Sequence, residues 1–345
     1  MSVTSKSPRK VAAWALQMGT EALPLYCHKF APKTYTQPQL FACLALKVFF
    51  GCDYRGTEAL LRDLPDLCQV IGLARVPDHA TLHRAAKRLL VSRRAERLLR
   101  RVIARVMKRR RTIRHAAADS SGFEATNASR YFAMRRVYGK DPKNRVVYRT
   151  YGKLGLIIDT TNHLILSLQA RRGPRPDVDE LRHLIDHVPR RLSVKHLVAD
   201  AGYDSEANHR YLREQHRIRS TIPPKHGRPT TALPAGRYRR LMKQRFNKHA
   251  YRHRAQVETV FSMIKRNLGA TLTSRSYHAR RREMILKALT HNLMILLHYN
   301  TFATEPSRPL FCLPLFCPLF CPRRKPGSLR LTSYGILLRG VVTVP

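Results

Sequence analysis

The chain reads as an α/β protein in which a mixed five-stranded sheet with flanking helices follows an all-α region of helix-turn-helix type. Two observations predict this. Apolar residues keep a helical period from Tyr35 to about Thr112, then change to short strand-like runs from Ile113 onward. With 43% hydrophobic residues, 345 positions can build a sizeable core, and the length favours two domains over one. The expected division is a basic N-terminal arm over 1–34, a helical domain over 35–112, an α/β domain over 113–300 and a low-complexity, disordered tail over 301–345.

The arm is basic, poorly periodic and holds the single tryptophan, Trp14. Gln39 to Phe50 is a compact apolar helix, and Arg55 to Leu64 is a second. A third begins after Asp78, a suitable N-cap, with Leu82, Ala85, Ala86 and Leu89 on one face. Thr81, His83, Arg84, Lys87 and Arg88 occupy the other face, as a helix reading the DNA major groove would place them. A plain bundle with a solvated basic face has the same pattern. Ser92 to Arg111 continues as an amphipathic helix with a dense arginine series, either a phosphate clamp or a charged outer face.

Strands are expected over Ile113 to Ala118, ending at Asp119, then over Leu154 to Ile158 and Leu164 to Leu168 as a hairpin around DTTNH. Val194 to Ala199 ends at Asp200; Asp204 or Ser205 caps the helix that follows, and Arg219 to Ile222 is halted by two prolines. Residues 225–250 read as a Gly/Pro/Arg/Lys-rich loop. Because sites in α/β sheets gather at strand ends, Asp119 and Asp200 are expected to be neighbours.

Charge names the partner class. Sixty-five Lys and Arg against 22 Asp and Glu give a formal charge of +43, a surface that attracts nucleic acid and binds it through counterion release. Seven cysteines with neither CxxC nor Cys/His zinc spacing argue against a zinc module and a disulfide framework, and reduced thiols fit a cytoplasmic protein, expected to be nucleoid-associated. No apolar run reaches the roughly 18 residues of a membrane span, and MSVTSKSPRK lacks a signal-peptide core. No nucleotide-binding glycine loop appears, so ATP use is not implied.

Chemistry enters with YRHRAQVETVFSMIKR. On a regular helix Tyr251, Arg254, Glu258 and Lys265 fall within an arc of about 60°, beside an apolar stripe of Val257, Val260, Phe261, Ile264 and Leu268. This Y-x2-R-x3-E-x6-K spacing resembles the acidic-helix signature of the DDE transposases of bacterial and archaeal insertion sequences. Two further blocks, RHAAADSSGFEATNASRYFAMRR around Asp119 and VKHLVADAGYDSEANHRYLRE around Asp200, resemble the family's others, in the expected order over residues 35 to 300.

The resemblance implies a ribonuclease-H-like catalytic domain and a catalytic triad of Asp119, Asp200 and Glu258. These residues would hold two divalent cations, Mg2+ or Mn2+, with Asp119 bridging, Asp200 on one ion and Glu258 on the other. It further implies metal-dependent cleavage and strand transfer at terminal inverted repeats, on double-stranded DNA, by a homodimer or higher assembly. Lys265 and Arg254 would grip phosphates, and Tyr251 would stack on a base or bond the backbone. The rival readings are a catalytically inactive DNA-binding relic or domesticated regulator and, less well matched to the carboxylate blocks, a basic RNA-binding protein.

Three features compete for attention. Asp159 opens the DTTNH turn, where Asp serves turn geometry alone. His183 and His187 stand one helical turn apart, but Leu184 occupies the position where a metalloprotease carries Glu, and a solvated helix face is the simpler account. PLFCLPLFCPLFCP in the tail has cysteine spacings that match no zinc module, and such bias suggests a translated extension.

Overall fold

The computed structural model describes residues 4–108, 111–125, 151–225 and 232–300. The tail beyond 300 and the 126–136 part of the first block lie outside those residues. Six helices come first: α1 (Pro8–Ala22), α2 (Gln37–Phe49), α3 (Tyr54–Asp63), α4 (Pro65–Ile71), α5 (His79–Leu89) and α6 (Ser92–Met107). The expected arm therefore contains a packed helix. Ser7 caps α1, Pro8 starts it, and Val11, Ala15 and Met18 are fully buried against α2. Low average hydropathy hid that stripe from a reading of composition.

Local signals place the other helix starts. Thr36 and Gln39 form a capping box on α2, with Thr36 Oγ1 accepting from the Gln39 amide at 3.3 Å and Gln39 Oε1 accepting from the Thr36 amide at 2.9 Å. Asp78 Oδ1 accepts from the Thr81 amide at 2.5 Å, and the expected apolar face of α5 is buried. Gly72, at φ 71°, ends α4 in the left-handed region that glycine enters without steric cost.

The sheet runs β3-β2-β1-β4-β5 from β1 (Thr112–Ala125), β2 (Gly152–Asp159), β3 (Leu164–Arg172), β4 (Ser193–Ala199) and β5 (Arg219–Thr221); β6 (Thr271–Leu272) pairs with the far end of β1. The sheet is mixed: β1 is antiparallel to β2, and β2 to β3, but β1 is parallel to β4, and β4 to β5. Two strand readings need correction. β1 continues six residues past Asp119, so this carboxylate lies inside a strand rather than at its end. β6, only two residues long, carries no periodic signal.

The remaining helices are α7 (Leu181–Asp186), α8 (Glu206–Arg210), α9 (Arg237–Gln244), α10 (Lys248–Tyr251), α11 (Ala255–Leu268) and α12 (Tyr277–Asn300). The expected loop over 225–250 thus contains α9 and α10. Asp204 is not the cap of α8; Ser205 is, its Oγ accepting from the Asn208 amide at 3.0 Å. Asp204 instead anchors α9, accepting from Arg239 Nε at 2.8 Å and from the Lys225 amide at 2.8 Å. Asp159 serves its turn as expected, accepting from the Thr161 amide at 3.0 Å.

α12 joins the helical region to the sheet, touching α6, β3 and α2. Asn292 pins it by donating to the Ile165 carbonyl at 2.8 Å and accepting from the Ile165 amide at 2.9 Å. Buried Lys287 donates to the carbonyls of Leu268 and Gly269, satisfying the C-terminus of α11. One apolar core runs from Val11 to Leu297, so the first six helices and the sheet are packed together within residues 1–304.

Candidate active site

The register of the parallel β1–β4 ladder brings the first two carboxylates together. Ala118 pairs with Ala199, so Asp119 and Asp200 are the next residue on each of two adjacent chains. Eighty-one residues of sequence are closed by one rung. Asp200 has extended backbone and caps a short 3-10 turn, its Oδ1 accepting from the Gly202 amide. Burial raises Asp119 to a pKa of about 6; the Ser120 amide and Arg254 oppose the rise, while Asp200 and Asp177 add to it. Two carboxylates therefore act electrostatically on the first.

Glu258 arrives from α11. Its side chain and those of Asp119, Ser121 and Lys265 line one open cavity of about 350 Å³. α11 is seated by Val257, Val260, Ile264 and Leu268, all buried, as its apolar stripe predicted. Upstream, the helix is not regular: α10 ends at Tyr251, and a 3-10 turn over Arg252–Arg254 precedes α11. The expected single arc from Tyr251 to Lys265 is thus broken after its first member. His253 in that turn stacks on His115 of β1 at 4.1 Å, which fixes the entry of α11 against the sheet.

Arg254 is the electrostatic centre of the group. Burial disfavours its charge, but Glu258, Asp119, Tyr251 and Asp200 together hold its pKa above the ordinary arginine value. It forms an ion pair with Glu258, whose side chain is 57% exposed. Lys265 does not pair with Glu258; its Nζ donates to Ser121 Oγ at 2.7 Å and lies 5.3 Å from the Phe123 ring centre. Tyr251 packs edge-on against Phe246 at 5.1 Å.

Sequence reasoning missed a second carboxylate group behind the first. Asp177 Oδ1 accepts from Ser120 Oγ at 2.6 Å and lies 2.7 Å from Lys153 Nζ. The same Nζ lies 3.4 Å from Glu180, which is 1% exposed. Gly202 packs against both acids: a Cβ there would stand 2.9 Å from Asp200 Oδ1 and 3.0 Å from Asp177 Oδ2. Tyr203, fully buried, has its hydroxyl held far into the protonated range by burial and by Asp177, Asp119 and Glu180. The one sequence signal was the run DVDE at 177–180, which composition alone marks as a solvated turn.

The donor set suits a hard divalent cation. It consists of carboxylate oxygens, and Asp119 is raised by burial first and then by the neighbouring Asp200 and Asp177. Asp119 and Asp200 stand at adjacent positions of neighbouring strands, whereas Glu258 is engaged by Arg254. Among the described residues, no three His, Cys, Asp or Glu side chains are grouped as ligands of one ion.

On α5 the basic face divides. Arg84 and Lys87 are exposed. His83 instead packs on Tyr54 at 5.4 Å, and Arg88 Nε donates to Gln37 at 2.9 Å, so both brace neighbouring helices. Thr81 Oγ1 accepts from Arg84 at 3.4 Å. His183 and His187 depart from the solvated-face expectation: they stack at 4.0 Å and line a second cavity. No helix of the described residues is long and apolar enough to cross a membrane.

Neither the curated proteins nor the solved structures contain a match to this chain. Residues 110–293, more than half of the chain and all three carboxylate blocks, match the family described as the transposase DDE domain. The chain belongs to the DDE transposases.

Proposed function

We propose that this transposase cleaves DNA at the terminal inverted repeats of an insertion sequence and joins the freed 3′ ends to target DNA. The observation that carries the proposal is the parallel register placing Asp119 beside Asp200, with Glu258 on the same cavity as Asp119. Asp119, Asp200 and Glu258 would hold divalent cations, which when bound neutralise charge on the phosphate oxygens of an in-line displacement. For Glu258 to join them, Arg254 must exchange its carboxylate for a DNA phosphate, an exchange that guanidinium geometry favours. Lys265, held by Ser121 on the strand that carries Asp119, would steady a phosphate at the cavity rim.

Tyr251 provides an aromatic face for a displaced base. Arg84 and Lys87 would contact the DNA backbone away from the reacting phosphate, with Thr81, His83 and Arg88 setting the position of that helix. Bringing two element ends together calls for a dimer or a higher assembly on DNA. The test is strand cleavage on DNA bearing the flanking repeats, with Mg2+ and with EDTA, for wild type and Asp119→Asn. Metal-dependent release of a 3′-hydroxyl at the repeat boundary, lost in the variant, supports the proposal. Tight binding without a cut in any metal would instead leave an inactive DNA-binding relic.

A further inference from the structure

We infer that a second cavity, separate from the carboxylate site, binds a phosphate group, either of a DNA strand or of a free nucleotide. The cavity, of about 320 Å³, is enclosed by α6, β3, α7 and α12 and falls in the range of ligand pockets. Arg100, Arg171, Arg172, Arg175 and Arg281 line it, against a single carboxylate, Glu96. Glu96 is already shared, lying 3.6 Å from Arg100 and 3.4 Å from His187. Among the described residues the other four arginines form no ion pair. Several guanidinium groups around one void repel one another, and an anion there would reverse the sign of that interaction.

Three of the arginines have fixed partners. Arg281 donates from Nη2 to Ser92 Oγ at 2.8 Å and from Nε to the Ala170 carbonyl at 3.3 Å. Arg172 stacks over Tyr277 at 5.1 Å. Arg171 lies against Gln169, whose amide oxygen, in the orientation that satisfies its neighbours, accepts from Arg171 Nη2 at 2.6 Å and from His183 Nδ1 at 2.8 Å. Such fixed planar forks match the paired oxygens of a phosphate.

A second observation is independent of charge. Ser167 lines the same cavity, is fully buried, and its hydroxyl has no hydrogen-bond partner. Buried hydroxyls are seldom left unpaired, so this one marks a place where an acceptor is missing. His183 is driven down to about 4, by burial first and then by His187 and Arg171, and so adds a neutral imidazole rather than further positive charge. Leu99, Leu168 and Ile285 supply an apolar wall suited to a sugar or base.

The cavity also shares a loop with the carboxylate site. Lys153 Nζ donates to the Arg175 carbonyl at 2.5 Å and reaches Asp177, two residues on, at 2.7 Å. Phosphate recognition on one side of β2 is thereby linked by a short covalent segment to the carboxylates on the other.

The test titrates the full chain, without divalent metal, with deoxyadenosine monophosphate and separately with a duplex of arbitrary sequence. Wild type is compared with Arg281→Gln, Arg171→Gln and the exposed control Arg62→Gln, which removes the same charge elsewhere. Circular dichroism checks that each variant is folded; because Arg281 also bonds its neighbours, Arg171→Gln keeps the test open if Arg281→Gln unfolds. Affinity should fall about tenfold in the cavity variants and stay near wild type in the control. Loss for the monophosphate identifies a free-nucleotide site, and loss for the duplex alone identifies a strand phosphate. Equal weakening by Arg62→Gln, or no weakening by either cavity variant, overturns the inference. The readout is binding in the absence of divalent metal, so it is independent of any failure of cleavage.

Discussion

The two cavities flanking β2 solve opposite electrostatic problems. On the β1 side, carboxylates gather inside a chain of charge +43, and burial of Asp119 opposes its ionisation. On the β3 side, five arginines gather with one shared carboxylate between them. Each group is costly alone and each becomes favourable with a ligand of the other sign. The acidic side has internal cations in reserve, Arg254 and Lys153; the basic side has Glu96 on its wall and Glu180 acting on Arg171. The difference teaches that the net charge of a nucleic-acid protein says little about its individual sites.

The sharpest break in this comparison is chemical. Asp200→Asn should lower strand cleavage at least about a thousandfold while leaving duplex binding within about twofold, read from cleavage and filter-binding assays on the same preparation. Comparable loss of binding would mean that the acidic side organises DNA rather than reacts with it.

Next in size is Lys153→Met. It removes the cation shared by Asp177 and Glu180 and leaves nearly buried carboxylate charge uncompensated, with an expected cost of about 3 kcal/mol in urea unfolding. A cost under about 1 kcal/mol would show that the pair is hydrated and adds little to holding the loop that links the cavities.

Gly202→Ala should cost less in stability than in function. Its Cβ would press on Asp200 and Asp177, and a displacement of a few tenths of an ångström should lower cleavage about tenfold with the unfolding midpoint nearly unchanged. Activity equal to wild type would mean that Asp177 does not position Asp200.

The smallest effect is a pH dependence. Asp119 has a folded pKa of about 6 against an ordinary 3.8, so the folded state favours its proton. The stability gained from holding that proton is present below pH 3.8 and is lost as pH rises through 6. Asp119→Asn, in EDTA, should therefore be more stable than wild type at pH 8 by about 1–2 kcal/mol, and nearly equal to it at pH 3.5. A gain of the same size at both pH values would trace it to packing instead of to charge.

Sequence alone read the element types well where their causes are local. The buried face of α5, the cap at Asp78 and the apolar stripe of α11 all follow from spacing and side-chain chemistry within a few residues. Trp14 shows where this stops. It lies in a packed helix, with Arg105 5.3 Å from its ring, because α2 and α6 supply the missing apolar surface. The break of the Tyr251 stripe was likewise invisible, since the His253–His115 stack that fixes the 3-10 turn joins residues 138 apart in sequence.

The amino-acid sequence by itself determined the family and the carboxylates Asp119, Asp200 and Glu258 as candidates, because spacing and strand or helix period are properties of short segments. Only the tertiary structure decided that one rung of a parallel ladder sets Asp119 beside Asp200, that Asp177 and Lys153 stand behind them, and that Glu258 is engaged by Arg254. It alone assembled arginines from α6, β3, the loop after it and α12 around one cavity. The physical reason is range: hydrophobic period and capping act within a turn or two of chain, whereas burial, ion pairing and cavity shape depend on segments brought together by packing.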